Sequence, residues 1–254
     1  MIHMKEYSAS ELHHTFDTEK IFDEFISSIG GVVIKNGLRG NPNFLNSDYS
    51  FLHKHRKIYV ELKSLQNDFA EICKLQSKIE SLYRKWIDRG EITLSAIFNF
   101  NELTDFQRRK VVEVKYEPVR RVLKKANQQI KSTALSFGAE SYSGLVILII
   151  DGVKAIEFNN LFSAICMLLQ KEKFSGIDGF VLMTMNHYVD IGNKQARQLW
   201  VPAYEDDNNI ELSEFVNWLG SKWFEFFSNL IGGFEHDPII TDSIEPLRNT
   251  KNIF

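Results

Sequence analysis

The chain has little cysteine: Cys73 and Cys166 are the only two in 254 residues. So few exclude a disulfide scaffold and a four-cysteine zinc centre, and suit a reducing cytoplasm. Proline and glycine are also scarce, at 5 and 14 residues. This excludes collagen-like and Pro/Gly-rich disordered chains. No apolar run reaches the ~18–20 residues of a membrane span, and the longest, Leu145–Ile150, reads as a strand. The opening Met1-Ile2-His3-Met4-Lys5-Glu6 has no apolar core and no cleavage site, so no export signal is expected. Gly-x-Ser-x-Gly is missing, and so is a phosphate loop of the Gly-x-x-x-x-Gly-Lys-Ser/Thr kind. Neither a serine hydrolase nor a nucleotide-driven motor is therefore expected.

Charge of one sign is lacking overall, with 30 Lys+Arg against 33 Asp+Glu and a net charge of −3. A histone-like binder is excluded, but the distribution is uneven. Between Gln107 and Lys131 nine basic residues face only Glu113 and Glu117, a local +7. A second basic cluster is His53-Lys54-His55-Arg56-Lys57. Each reads either as a solvated face or as a phosphate-binding surface. Hydrophobic content of 44% and charged content of 25% fit a soluble globular protein of one large or two small domains.

The first helix starts near Asp17 or Thr18, and Ile21, Phe22, Phe25, Ile26 and Ile29 form its apolar stripe. Val32–Ile34 reads as a short strand, and the Gly/Pro-bearing stretch 36–46 as a loop. Tyr49–Leu52 and Lys57–Lys63 read as a hairpin around the polar turn His53–Arg56. Ser64–Arg89 is helical by its spacing, and Ile92–Phe100 looks like a strand. A helix follows near Pro118 with Val119, Val122, Leu123, Ala126, Ile130 and Ala134 on its buried side. Leu145–Ile150, Phe180–Met185 and Gln198–Val201 are expected strands, with a helix over Ile156–Gln170. Leu212, Phe215, Val216, Leu219, Trp223, Phe226, Phe227 and Leu230 mark a strongly apolar helix. It suits burial or a subunit interface, with Trp218 and Phe224 outside the stripe. The whole predicts an α/β domain over 1–231, with 64–117 as an inserted segment and 232–254 as a polar, loosely held tail.

Asp48 opens one hairpin strand, while Glu61 and Lys63 share a face of the next, since residues two apart on a strand point the same way. An antiparallel neighbour brings Asp48 beside them. Two carboxylates suit Mg2+, which takes oxygen ligands, with Mn2+ able to substitute. A lysine there orients or deprotonates a water, or stabilises charge in a phosphoryl transition state. Glu-x-Lys alone is uninformative: 20 Glu and 20 Lys predict roughly 1.6 occurrences by chance, and two exist, Glu61-Leu62-Lys63 and Glu113-Val114-Lys115. A purely structural cross-strand ion pair competes with the functional reading.

Context separates the two. Asn46-Ser47-Asp48-Tyr49 followed by Val60-Glu61-Leu62-Lys63, after a helix and a strand, resembles the core of the restriction-endonuclease-like PD-(D/E)xK nucleases. Ala126–Thr133 resembles the next helix of that superfamily. The resemblance covers about Thr18–Ile150 and lacks the proline directly before the aspartate, Pro42 being six residues away. It implies a mixed central sheet flanked by helices and a metal-dependent nuclease, acting on DNA in restriction, repair or anti-phage defence. It implies Asp48, Glu61 and the Leu62 carbonyl as metal ligands, Lys63 on the attacking water, and Gln129 and Glu19 in support. Arg120, Arg121, Lys124, Lys125 and Lys131, with Lys54 and Arg56, would follow phosphates. Such nucleases are frequently homodimers, or are gated by a partner protein. A second parse puts Asp105 with Glu113 and Lys115. Two other functions compete: a catalytically silent binding module on the same fold, and an RNA-directed nuclease. His13-His14 and the His53/His55 pair have no third zinc ligand in view.

Overall fold

The computed structural model describes residues 2–4, 16–37, 44–66, 69–151, 157–191, 194–206, 209–234, 239–241, 243, 245–248 and 250–253. The chain divides into two compact units, one of residues 1–66 and 122–254 and one of residues 67–121.

The larger unit is a mixed α/β fold built on a nine-stranded sheet. Its strands are β1 (Ile2–Met4), β2 (Val32–Val33), β3 (Tyr49–His53), β4 (Arg56–Gln66), β5 (Tyr142–Asp151), β6 (Gly179–Met185), β7 (Tyr188–Ile191), β8 (Lys194–Tyr204) and β9 (Lys251–Ile253). They lie in the order β2-β3-β4-β5-β6-β8-β7-β9, with β1 pairing β8. The first three form an antiparallel meander; β4, β5 and β6 run parallel, and β8 returns antiparallel. Parallel strands require both faces covered, which explains the unbroken apolar run of β5.

One face is covered by α1 (Thr18–Ser28) and the aromatic α7 (Ile210–Leu230). Phe22 stacks on Trp223 at 4.4 Å between centroids, and both helices share a core with Phe51, Val60, Ile147 and Val181. The Trp223 indole N–H donates to the buried Gln198 side chain at 2.8 Å, so burying this tryptophan leaves no donor stranded. Strand alternation sends Glu61, Val146, Leu148 and Phe180 to the opposite face. There α5 (Glu117–Ser136) buries Leu123, Ala126 and Ile130, and α6 (Phe158–Lys171) brings Phe162 to 5.5 Å from Phe180. Gly144 admits the closest backbone approach: an added Cβ would stand 1.8 Å from the Gly176 carbonyl oxygen.

The hairpin β3–β4 turns on Lys54 and His55, both left-handed with φ of 45° and 72°. Two such residues form the two-residue turn whose twist matches the flanking strands. Between β2 and β3 lies the short helix α2 (Ile34–Gly37), whose first amide donates to the Asp48 carbonyl at 2.9 Å.

The smaller unit holds α3 (Phe69–Asp88), two 3-10 turns (Leu94–Ile97 and Phe100–Glu102) and α4 (Asp105–Lys115) around Tyr83, Trp86, Ala96, Leu103 and Val111. The strand expected over Ile92–Phe100 is therefore replaced by 3-10 turns. Its apolar alternation finds no neighbouring strand among the described residues of this unit. The Glu102 carboxylate instead draws in Thr93, Ser95 and Asn99, side chains that favour turns over ladders.

Three further differences have local causes. Tyr188–Ile191, given no element from the sequence, is a strand: past Asn186, with φ of 61°, it continues in the direction of β6 and pairs β8 and β9. The segment 232–254, expected to be loosely held, is tied down where β9 pairs β7 and where Leu247 and Thr250 are buried. Phe224, expected outside the apolar stripe, is buried and meets Phe234 at 6.4 Å, while Trp218 stays 37% exposed. No helix among the described residues is long and apolar enough to cross a membrane.

Candidate active site

The hairpin register pairs Tyr49 with Val60, so the next step places Asp48 across from Glu61. Asp48 thus stands just before β3, where the ladder to β4 ends. Its Oδ2 accepts the Leu62 N–H at 2.8 Å, a side chain doing the work of a missing strand neighbour. In extended backbone the N–H and C=O of one residue point to the same edge, so the Leu62 carbonyl faces Asp48 as well.

Glu61 is fully buried, and its Oε1 accepts the Lys63 ammonium. Its second oxygen makes no hydrogen bond. Burial and the neighbouring Asp48 charge push the Glu61 carboxyl up to about 8, against the pull of Lys63 and of the nearby Asp48 backbone amide. Burial also raises the Asp48 carboxyl, opposed by the Leu62 amide and Lys63. Two carboxylates drawn together in low dielectric cannot both ionise cheaply. A divalent cation between them would remove that conflict. The unpartnered Glu61 oxygen, the Asp48 carboxylate and the Leu62 carbonyl are oxygens of the kind that could hold Mg2+. Among the described residues no group of three or more His, Cys, Asp or Glu gathers as a metal cluster; the oxygens here belong to two carboxylates and one backbone carbonyl.

Helix α5 braces this point from the covered face. The Gln129 amide donates from Nε2 to the Asn46 carbonyl at 2.9 Å. Thr133 Oγ1 accepts the Ser47 N–H at 2.6 Å. Both bonds fix the two residues that precede Asp48. Gln129 therefore holds the chain that carries the site, and its own Oε1 is buried without a partner.

Glu19 lies in the first turn of α1, its charge acting on Asp48. Its carboxylate is held by Lys35 at 2.8 Å, and the same ammonium holds Asp23 at 2.7 Å. Asp23 in turn accepts the Tyr49 hydroxyl at 3.1 Å, and those carboxylates hold the Lys35 ammonium well above its ordinary value. Reasoning from the chain alone missed Asp23, Lys35, Asn46 and Thr133. Asp23 carried a signal, since it is four residues after Glu19 and shares its helix face. Lys35 carried none.

Asp151 ends β5 and ties α1, β4 and Asn186 to it. It accepts Thr18 Oγ1 at 3.0 Å, Asn186 Nδ2 at 2.7 Å and Ser64 Oγ at 3.4 Å. The start of α1 is thereby anchored to the parallel strands.

The second parse does not survive. Asp105, Glu113 and Lys115 all lie on α4, where residues two apart diverge around the helix. Asp105 pairs with Arg108 at 2.6 Å and Glu113 with Lys110 at 2.8 Å. Most of the basic residues expected to follow phosphates have protein partners. Arg120 pairs with Glu117, Lys124 with Glu172 and Lys54 with Glu214. Lys131 donates to Ser175 and Arg56 to the Tyr142 carbonyl. Arg121 is also engaged, whereas Lys125 stands exposed on α5. His53 packs against Phe215 at 5.5 Å, and His13, His14 and Pro42 lie outside the described residues. Comparison with family models, with curated proteins and with solved structures finds no match, so the site is read from its own geometry.

Proposed function

We propose that the chain is a metal-dependent phosphodiesterase, a nuclease of the PD-(D/E)xK type acting on DNA. One observation carries the reading: Asp48 and the fully buried Glu61 meet at a strand start, with Lys63 on Glu61 and one Glu61 oxygen left without a partner. A structural ion pair on a solvated face explains neither the burial nor the orphaned oxygen. The order of elements supports the same reading. Helix α1, the meander β2-β3-β4, helix α5 and parallel strand β5 follow the resemblance noted for Asn46–Tyr49, Val60–Lys63 and Ala126–Thr133.

Asp48, Glu61 and the Leu62 carbonyl would hold Mg2+. The bound ion would polarise the phosphoryl group and acidify a water. Glu61 holds the Lys63 side chain in place, where its ammonium would stabilise the negative charge that builds up as the phosphodiester is attacked. Gln129 and Thr133 hold residues 46 and 47, and so set where Asp48 stands. The setting of restriction, repair or anti-phage defence, action as a dimer and gating by a partner belong to this proposal.

The test is cleavage of supercoiled and linear DNA, with RNA as competitor, in Mg2+, in Mn2+ and in EDTA. Wild type should cut only with metal, Glu61→Ala and Lys63→Ala should lose at least 100-fold, and Glu113→Ala should cut normally. Cleavage that survives Glu61→Ala would refute the site. Preference for RNA would redirect the substrate. Binding of DNA without metal uptake or cleavage would favour a silent binding module.

A further inference from the structure

Lys35 bridges two carboxylates of α1. Its ammonium lies 2.8 Å from Glu19 Oε1 and 2.7 Å from Asp23 Oδ2, on the first two turns of α1. The arrangement is fixed from several sides. Helix α2, which carries Lys35, is pinned at Ile34 to the Asp48 carbonyl at 2.9 Å. Asp23 is oriented by the buried Tyr49 hydroxyl at 3.1 Å. Tyr49 is the residue next to Asp48, and the charges of both Glu19 and Lys35 act on the Asp48 carboxyl. Two carboxylates beside a phosphodiester site would be a natural second cation position, since paired ions can clamp both the attacking and the leaving oxygen. Here the chain's own lysine already bridges the pair and offsets one of its two negative charges.

We infer that the site takes one divalent cation, because the Lys35 ammonium occupies the Glu19–Asp23 carboxylate pair and shuts out a second. The inference rests on the proposed metal site at Asp48 and Glu61, and it names Lys35 as a built-in counter-ion beside that site. Lys35 and Glu19 are 46% and 72% exposed at their side chains. Exchange at position 35 therefore leaves the core intact.

The experiment is a titration with Mn2+ alone, with no nucleic acid, at pH 8. Free ion is read by electron paramagnetic resonance, and thermal melts confirm folding of each variant. Wild type and Lys35→Arg should bind one ion. Lys35→Met and Lys35→Gln should bind two. Glu61→Gln should bind none. Two ions in wild type, or one in both neutral Lys35 variants, would overturn the inference while leaving the site at Glu61 standing. No ion in wild type, or one retained in Glu61→Gln, would overturn the underlying metal site and the inference with it.

Discussion

Metal affinity should climb steeply with pH, because a proton and the cation compete for Glu61. The carboxyl is pushed up to about 8 from an ordinary value of 4.5, so the metal-free folded protein holds a proton that the unfolded chain has released. Each unit of pH below 8 should lower apparent affinity about tenfold, or about 1.4 kcal/mol. Between pH 8 and pH 6 the expected loss is about 100-fold. The same shift fixes how stability varies without metal. A raised carboxyl favours the folded state most below pH 4.5. That contribution is lost as pH rises towards 8, at up to about 1.4 kcal/mol per unit. Metal added at 100 times its dissociation constant should restore about 2.7 kcal/mol. Isothermal titration with Mn2+ and thermal melts over pH 5.5–8.5 measure both slopes. Glu61→Gln should flatten the stability slope and abolish the metal response. Affinity independent of pH in wild type would refute the reasoning, because it would mean that Glu61 is not the group displaced.

Other predictions bear on the parts that hold the site. Gly144→Ala should cost about 3 kcal/mol or more in thermal or urea unfolding, since its Cβ would meet the Gly176 carbonyl at 1.8 Å; an unchanged midpoint would contradict the close approach. Gln129→Ala removes the donor to the Asn46 carbonyl. It should cost only about 1 kcal/mol of stability but lower cleavage more than tenfold through kcat, and a stability loss with normal kcat would make Gln129 purely structural. Asp151→Ala removes the acceptor of the buried Thr18 hydroxyl and one of the two bonds donated by the Asn186 amide. It should destabilise by about 2–3 kcal/mol, and hydrogen exchange at the start of α1 should rise before that of β5.

Much of the framework is legible in the chain because it obeys simple periods. Ile58, Val60 and Leu62 alternate with Tyr59, Glu61 and Lys63, and that alternation survives as β4 with its two faces intact. The stripe of α7 from Leu212 to Phe227 is likewise the face that meets the sheet. Failures occur where long-range pairing decides. Residues 92–100 alternate like a strand, yet only Ala96 is buried, with Ile92 packed partly against the same core, while Phe98 is 92% exposed. Tyr188–Ile191 is too short to announce itself, and its pairing partners lie at both sides, on β8 and β9. At the site, Asp48, Glu61 and Lys63 come together through hairpin register, which local spacing predicts. The bonds from Gln129 and Thr133 to residues 46 and 47 span more than eighty positions. The Lys35 contact depends on a four-residue helix. Neither leaves a local pattern to read.

The central claim is that Asp48 and Glu61 share a divalent cation. Anomalous scattering from crystals grown with Mn2+ tests it most directly. One strong peak is expected within bonding distance of the Asp48 carboxylate, the free Glu61 oxygen and the Leu62 carbonyl. A peak held by other residues, or no peak there at saturating Mn2+ and pH 8, would contradict it.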